Sequence, residues 1–196
     1  MFNVKGDLKP ITKHLKRMQK KQIPFASAMA INDTLKQVVK AEQIQITKRL
    51  DRPTPFTVKA FKIKWAKKHA LHGEVQIKPI QWKYLKYQIE GGTRTGKIGV
   101  PTSNAKLNKY GNIPGRRKGL IRTKKQYMND RGVWERSGGK RNPKYKLIVA
   151  FASSVTYRKR FPFQKIADGV ARSQFKKNFR RSIKRAIATA KWWVRM

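Results

Sequence analysis

His69, His72 and Glu74 form the one cluster in the chain whose residue types could do acid/base or metal chemistry. A general base needs a carboxylate or imidazole within reach of a partner, and a metal centre needs at least three suitable ligands. The third histidine, His14, lies far away along the chain, and no further ligand type stands beside the cluster. It reads as a polar turn between two strands. Gly91-Gly92-Thr93-Arg94-Thr95-Gly96-Lys97 has the glycine content of a phosphate-binding loop, but lacks its full spacing and its Gly-Lys-Ser/Thr ending. No serine–histidine–acid arrangement is suggested. With nine acids and no cysteine in 196 residues, disulfides, iron–sulfur clusters and thiolate zinc sites are excluded. No enzyme activity, cofactor or metal is expected.

The chemistry that the residues do support is electrostatic. Lysine and arginine number 49, which gives a net charge of +40. Each cation that meets a phosphate releases a counterion and adds salt-dependent affinity. The densest groups are Arg116, Arg117 and Lys118; Lys124 and Lys125; Lys140 and Arg141; Arg158, Lys159 and Arg160; and Arg180 and Arg181. These are the candidate contacts to nucleic acid or another polyanion. Tyr110, Tyr127 and Trp134 are placed to stack on bases. Neither a zinc finger nor a ribonucleoprotein-type aromatic motif is present, so sequence-specific readout is not expected.

Hydrophobic residues make up 39% and aromatic residues 10%, too many for a disordered basic tail. No apolar run approaches the roughly 20 residues that span a bilayer. Residues 1–20 lack the apolar centre of a signal peptide, so a soluble, non-secreted protein is expected.

These groups need elements to position them. Ile11, Leu15 and Met18 predict a short helix over Ile11–Lys21, broken at Ile23–Pro24. A second helix runs from about Pro24 to Leu50, with Ala28, Ile31, Leu35, Val38 and Val39 on one face. Arg52-Pro53-Thr54-Pro55 ends it. Alternation in Phe61–Trp65 and Glu74–Lys78 predicts a hairpin over 61–78. Trp82, Leu85 and Ile89 then fit a short helix stopped by Gly91-Gly92. The 54 residues from Gly91 to Lys144 hold 10 of the 13 glycines, with 15 cations against two acids, Asp130 and Glu135. They read as a long basic arm that orders against a partner, with at most a small hairpin around Leu120-Ile121 and Val133-Trp134. Residues 146–152 predict a central strand, and Ser153 to Arg160 a turn. The last helix runs from about Phe163 to Val194. It is amphipathic and basic, with Trp192 and Trp193 at its end, the pattern of a membrane-surface helix. Its Phe163, Phe179 and Ile183 are needed for the core, so no membrane partner is expected. The fold class expected is α+β: two long amphipathic helices packed on a small antiparallel sheet. It forms a single domain, 1–196, with 91–144 as a long basic Gly-rich loop or insertion.

Two segments carry a resemblance. Gln22-Ile23-Pro24-Phe25-Ala26-Ser27-Ala28-Met29-Ala30-Ile31-Asn32-Asp33-Thr34 is a proline-started helix of small residues. Asn142-Pro143-Lys144-Tyr145 leads through the strand to Phe161-Pro162-Phe163 and the basic last helix. Together they resemble the minor tail protein Z family of lambda-like, long-tailed bacteriophages. The resemblance covers about 70 of the 196 residues. It implies a virion structural protein that acts in tail completion at the head-proximal end, the neck. It implies a homo-oligomeric ring, other tail and neck proteins as partners, and the packaged DNA end as a candidate partner. The location implied is the tail–neck junction of the virion, with the host cytoplasm during assembly. The alternative from composition alone is a non-specific nucleic-acid-binding protein of ribosomal or nucleoid type.

Overall fold

Ala26, Ala30, Thr34, Val38, Glu42 and Ile46 recur every four residues and are all buried. That spacing defines one face of a helix. They lie on α1, Ile23–Arg49, in the computed structural model, which describes residue 16 and residues 18–114 and 123–189. Ala28 is buried as expected, while Ile31, Leu35 and Val39 are half-buried. The expected break at Ile23–Pro24 is not there. A π-helical turn, Met18–Gln22, runs directly into α1. Pro24 sits at the junction of the two and lacks the N–H that would bond back into the π-helical turn. Residues 11–15 and 17 of the expected first helix lie outside the described residues.

The chain is α+β, with four α-helices and two antiparallel sheets among the described residues. These residues fall into two compact units, interleaved along the sequence. The first takes the chain as far as Gln45, then Lys59–Pro79, then the chain from Pro162. Its hairpin joins β1, Phe61–Lys64, to β2, Glu74–Ile77, with Phe61 opposite Ile77 and Lys64 opposite Glu74. The alternation of apolar and polar residues produces it. Asn32 on α1 clamps the exit of β1: its amide donates to the Ala66 carbonyl at 3.0 Å and its carbonyl accepts the Ala66 N–H at 2.8 Å. Phe61 stacks on Phe163, at 5.9 Å between ring centres. Phe163 opens α4, Phe163–Ala188, shorter than the helix to Val194 that the pattern predicts. Residues 190–196, with Trp192 and Trp193, lie outside the described residues.

The second unit takes Ile46–Val58 and Ile80–Phe161. It holds one turn of helix, α2, Pro55–Val58, and nearly all of α3, Pro79–Ile89. Gly91 follows α3 at φ 76° and donates its N–H to the Tyr87 carbonyl at 3.1 Å, the left-handed helix stop that glycine accepts without strain. Four strands form its sheet in the order β3-β6-β5-β4. They are β3, Gly92–Pro101; β4, Gln126–Met128; β5, Gly132–Gly138; and β6, Pro143–Tyr157.

This sheet changes three expectations. The described residues of 91–144 are not a structureless arm, since β3, β4 and β5 all fall among them. Their backbone hydrogen bonds to neighbouring strands order them without an apolar pattern. The hairpin pairs Tyr127 with Trp134 and Met128 with Val133. Leu120 and Ile121, expected in that hairpin, lie outside the described residues. The strand expected at 146–152 is interior, as read, but extends to Tyr157, because Gly92–Thr95 of β3 pair with Ser154–Tyr157. No turn begins at Ser153. Gly132 is fixed by close approach, since a Cβ there would collide with the Val149 carbonyl oxygen of β6.

Candidate anion-binding site

Tyr84 and Tyr87 are three residues apart on α3, so their rings share one face of the helix. The Tyr84 hydroxyl is 3.1 Å from the Thr57 hydroxyl of α2. The Tyr87 ring lies 5.4 Å from that of Tyr157, the last residue of β6. The chain beyond β6 is tied back to α3, because Arg160 and Phe161 both donate backbone N–H groups to the Gln88 carbonyl, at 2.8 and 2.9 Å. A cavity of about 420 Å³ opens among these residues, within the second unit. Arg52, Arg94 and Arg160 line it, together with Tyr84, Tyr87, Tyr110 and Tyr157.

Each arginine is positioned differently. Arg94 projects from β3, opposite Val155. Arg160 is set by the Gln88 tether. Arg52 precedes Pro53 and has φ 42°, a left-handed conformation that costs a non-glycine residue about 1–3 kcal/mol. Its guanidinium forks onto Asp51, with Nε and Nη2 each 3.1 Å from a carboxylate oxygen. Those hydrogen bonds hold the Asp51 carboxyl below its usual range and raise the Arg52 guanidinium further. A Cβ on Gly111 would lie 3.3 Å from the guanidinium, so the loop carrying Tyr110 passes close over it. That loop turns on Asn108, whose side-chain oxygen accepts the N–H groups of Tyr110 and Asn112 at 2.9 and 3.0 Å.

The lining therefore carries three guanidinium groups against one carboxylate, and that carboxylate is taken up by Arg52. The side chains of Arg94 and Arg160 have no acceptor among the described residues. Such a cavity can bind an anion, and its rings can stack on a planar group.

The basic groups singled out in the sequence divide between places. Lys124 and Lys125 are exposed just before β4, and Lys140 and Arg141 are exposed in the β5–β6 turn. The strand register, Gln126 opposite Glu135 and Gly138 opposite Pro143, sets both pairs toward one end of the sheet. Arg158, Lys159 and Arg160 follow β6 at the other end. The 15 residues of β6 separate the two ends by roughly 45 Å. All three are exposed, and of this set only Arg160 lines the cavity. Arg180 is exposed on α4, in the first unit. Arg181 is engaged by its own unit, donating to Asp33 at 3.2 Å and to the Asn178 side-chain oxygen at 3.1 Å. Arg116, Arg117 and Lys118 lie outside the described residues.

Of the expected stacking residues, Tyr110 lines the cavity. Tyr127 and Trp134 face each other across β4 and β5, and Trp134 donates its indole N–H to Asn129 at 3.1 Å. Gly91–Lys97 is the approach to β3 and its first half, not a loop wrapped around a phosphate. His69 and His72 are exposed, and Glu74 is paired with Lys64 at 3.2 Å. Sequence reasoning missed Arg52, Arg94, Tyr84, Tyr87 and Tyr157 as site residues. The available signals were the Asp51-Arg52-Pro53 turn and the tyrosines at helical spacing after Pro79.

No described helix is long and apolar enough to cross a membrane. No family model, curated protein or solved structure matches the chain.

Proposed function

We propose that this chain is a structural protein of a phage virion, completing the tail at its head-proximal end. It assembles there as a ring and contacts the end of the packaged DNA. The resemblance in Gln22–Thr34 and Asn142–Phe163 supports the tail role. One observation carries the polyanion contact: basic side chains stand at both ends of the four-stranded sheet, and Lys124, Lys125, Lys140, Arg141, Arg158, Lys159 and Arg160 have no acid partner among the described residues. A ring of such subunits concentrates positive charge along a channel and steers a polyanion to it. In this reading, the two long helices with the β1–β2 hairpin form the body, and the basic stretch 91–144 reaches DNA or neighbouring subunits. No catalytic role is assigned.

Electron cryo-microscopy of intact virions tests the proposal. A symmetric ring of this chain between tail tube and head is the expected result. Its absence from virions overturns the tail reading.

The arginine- and tyrosine-lined cavity favours a second reading, a non-specific nucleic-acid-binding protein of ribosomal or nucleoid type. Pull-down from lysate with and without nuclease separates the two. Loss of every partner on nuclease treatment supports the second reading, and retained protein partners support the first.

A further inference from the structure

We infer that the cavity of the second unit is a nucleotide site, in which Arg94 and Arg160 take a phosphate and the tyrosine rings take the base. The inference rests on the side chains of the cavity. It deepens the nucleic-acid contact proposed above but does not need the virion role.

Three observations lead to it. Cations brought together around one cavity repel each other, and the only carboxylate in the lining among the described residues is already forked onto Arg52. A dianionic ligand would relieve that repulsion, and the planar guanidinium fork matches phosphate oxygens. Second, the rings of Tyr84, Tyr87, Tyr110 and Tyr157 are half-buried, leaving aromatic surface open to a partner. Base-on-aromatic stacking needs such surface and tolerates any base. Third, the volume of about 420 Å³ lies in the range of sites for small organic ligands and exceeds what an inorganic anion fills.

The cavity is also held in place before any ligand arrives. The Arg52 guanidinium is hydrogen-bonded to Asp51 and lies beside the loop at Gly111, and Arg160 is tethered to Gln88 through its backbone. An acidic peptide would satisfy the arginines but make no use of the rings, so the rings favour the nucleotide.

The test is calorimetric titration of the full chain, in salt concentrated enough to screen exposed charges. The probes are 2′-deoxyadenosine 5′-monophosphate, 2′-deoxyadenosine, inorganic phosphate, a tetradeoxynucleotide and a glutamate peptide. The mononucleotide binds saturably, and the nucleoside and phosphate each bind at least about tenfold more weakly. Arg94→Gln and Arg160→Gln each weaken the mononucleotide about tenfold. Tyr110→Ala weakens it by a similar factor. The double variant Lys67→Gln/Lys68→Gln, at two exposed cations of the first unit, leaves it unchanged. The ratio of tetranucleotide to mononucleotide affinity identifies the source: a tighter strand means nucleic acid, a tighter mononucleotide means the free nucleotide. Equal losses in the cavity variants and in Lys67→Gln/Lys68→Gln would overturn the site, as would a glutamate peptide that displaces the mononucleotide at equal concentration. If the tetranucleotide binds but ignores Arg94→Gln and Arg160→Gln, the cavity assignment fails while the nucleic-acid contact stands.

Discussion

Two polar clusters, one in each unit, use similar residue types and end differently. In the first unit, buried Asn178 of α4 donates to Thr34 and Gln37 of α1 at 3.0 and 3.1 Å. Its carbonyl accepts from Arg181, which also reaches Asp33. The Arg181 guanidinium therefore ends on acceptors of its own unit, and the cluster is closed. In the second unit, Arg52 is closed onto Asp51, but Arg94 and Arg160 line a cavity and have no hydrogen-bond acceptor among the described residues. A closed cluster holds helices in register, whereas an open one waits for a ligand. An arginine in a basic run says nothing by itself, since Arg181 and Arg160 look alike in sequence.

The largest test of this contrast is at Glu42, which lies within the first unit and breaks its rule. It is fully buried on α1, and neither carboxylate oxygen has a hydrogen-bond partner among the described residues. Burial pushes its pKa up to about 8. The proton is therefore held more tightly in the folded chain than in the unfolded one. The stability this gives is fully present below the ordinary carboxyl value of 4.5 and is lost as pH rises through about 8. The loss between those limits is on the order of 4 kcal/mol. Glu42→Leu, compared with the parent chain by urea denaturation at pH 5 and pH 9, should flatten that dependence and be the more stable at pH 9. An unchanged pH slope would mean that the carboxyl finds a partner after all.

Asn178→Leu comes next. It removes the centre of the closed cluster, taking the shared donor from Thr34 and Gln37 and one of two acceptors from Arg181, at a cost of about 3 kcal/mol in denaturant unfolding. Nucleotide affinity should not change. A loss below about 0.5 kcal/mol would show that the cluster holds nothing together.

Arg94→Gln with Arg160→Gln should reverse that pattern. Unfolding stability should stay within about 0.5 kcal/mol of the parent chain. Binding of a single-stranded oligonucleotide should fall at least about tenfold in a filter assay. The smallest effect is expected for Lys64→Gln, which breaks the exposed pair with Glu74 and should cost under about 1 kcal/mol.

The same contrast explains what the sequence conveys. Helix α1 and the 61–78 hairpin are readable because their apolar residues keep a period of about four or of two. The short helix over Trp82–Ile89 is readable because Gly91 marks its stop. Strand β3 is not readable: Gly92-Thr93-Arg94-Thr95-Gly96-Lys97 has no apolar alternation, and its order comes from β6, about 60 residues later. For the same reason β6 looks shorter than it is, since Ser153–Tyr157 is a strand only beside β3. The site suffers most. Arg52, Arg94 and Arg160 are spread over more than 100 residues, and the Thr57–Tyr84 contact, the pairing of β3 with β6 and the Gln88 tether bring them to one cavity. Charge runs marked Arg160 but equally marked Arg181, because a run does not record which cations find an acid.

The most direct measurement is the salt dependence of single-stranded DNA binding by the parent chain, by Arg94→Gln/Arg160→Gln and by Arg181→Gln. If the open cluster meets the polyanion, the first variant lowers the slope of log affinity against log salt by about 0.7 for each lost phosphate contact. Arg181→Gln then leaves that slope unchanged and lowers only stability. An equal drop in slope for both variants, or a drop for Arg181→Gln alone, would contradict the account.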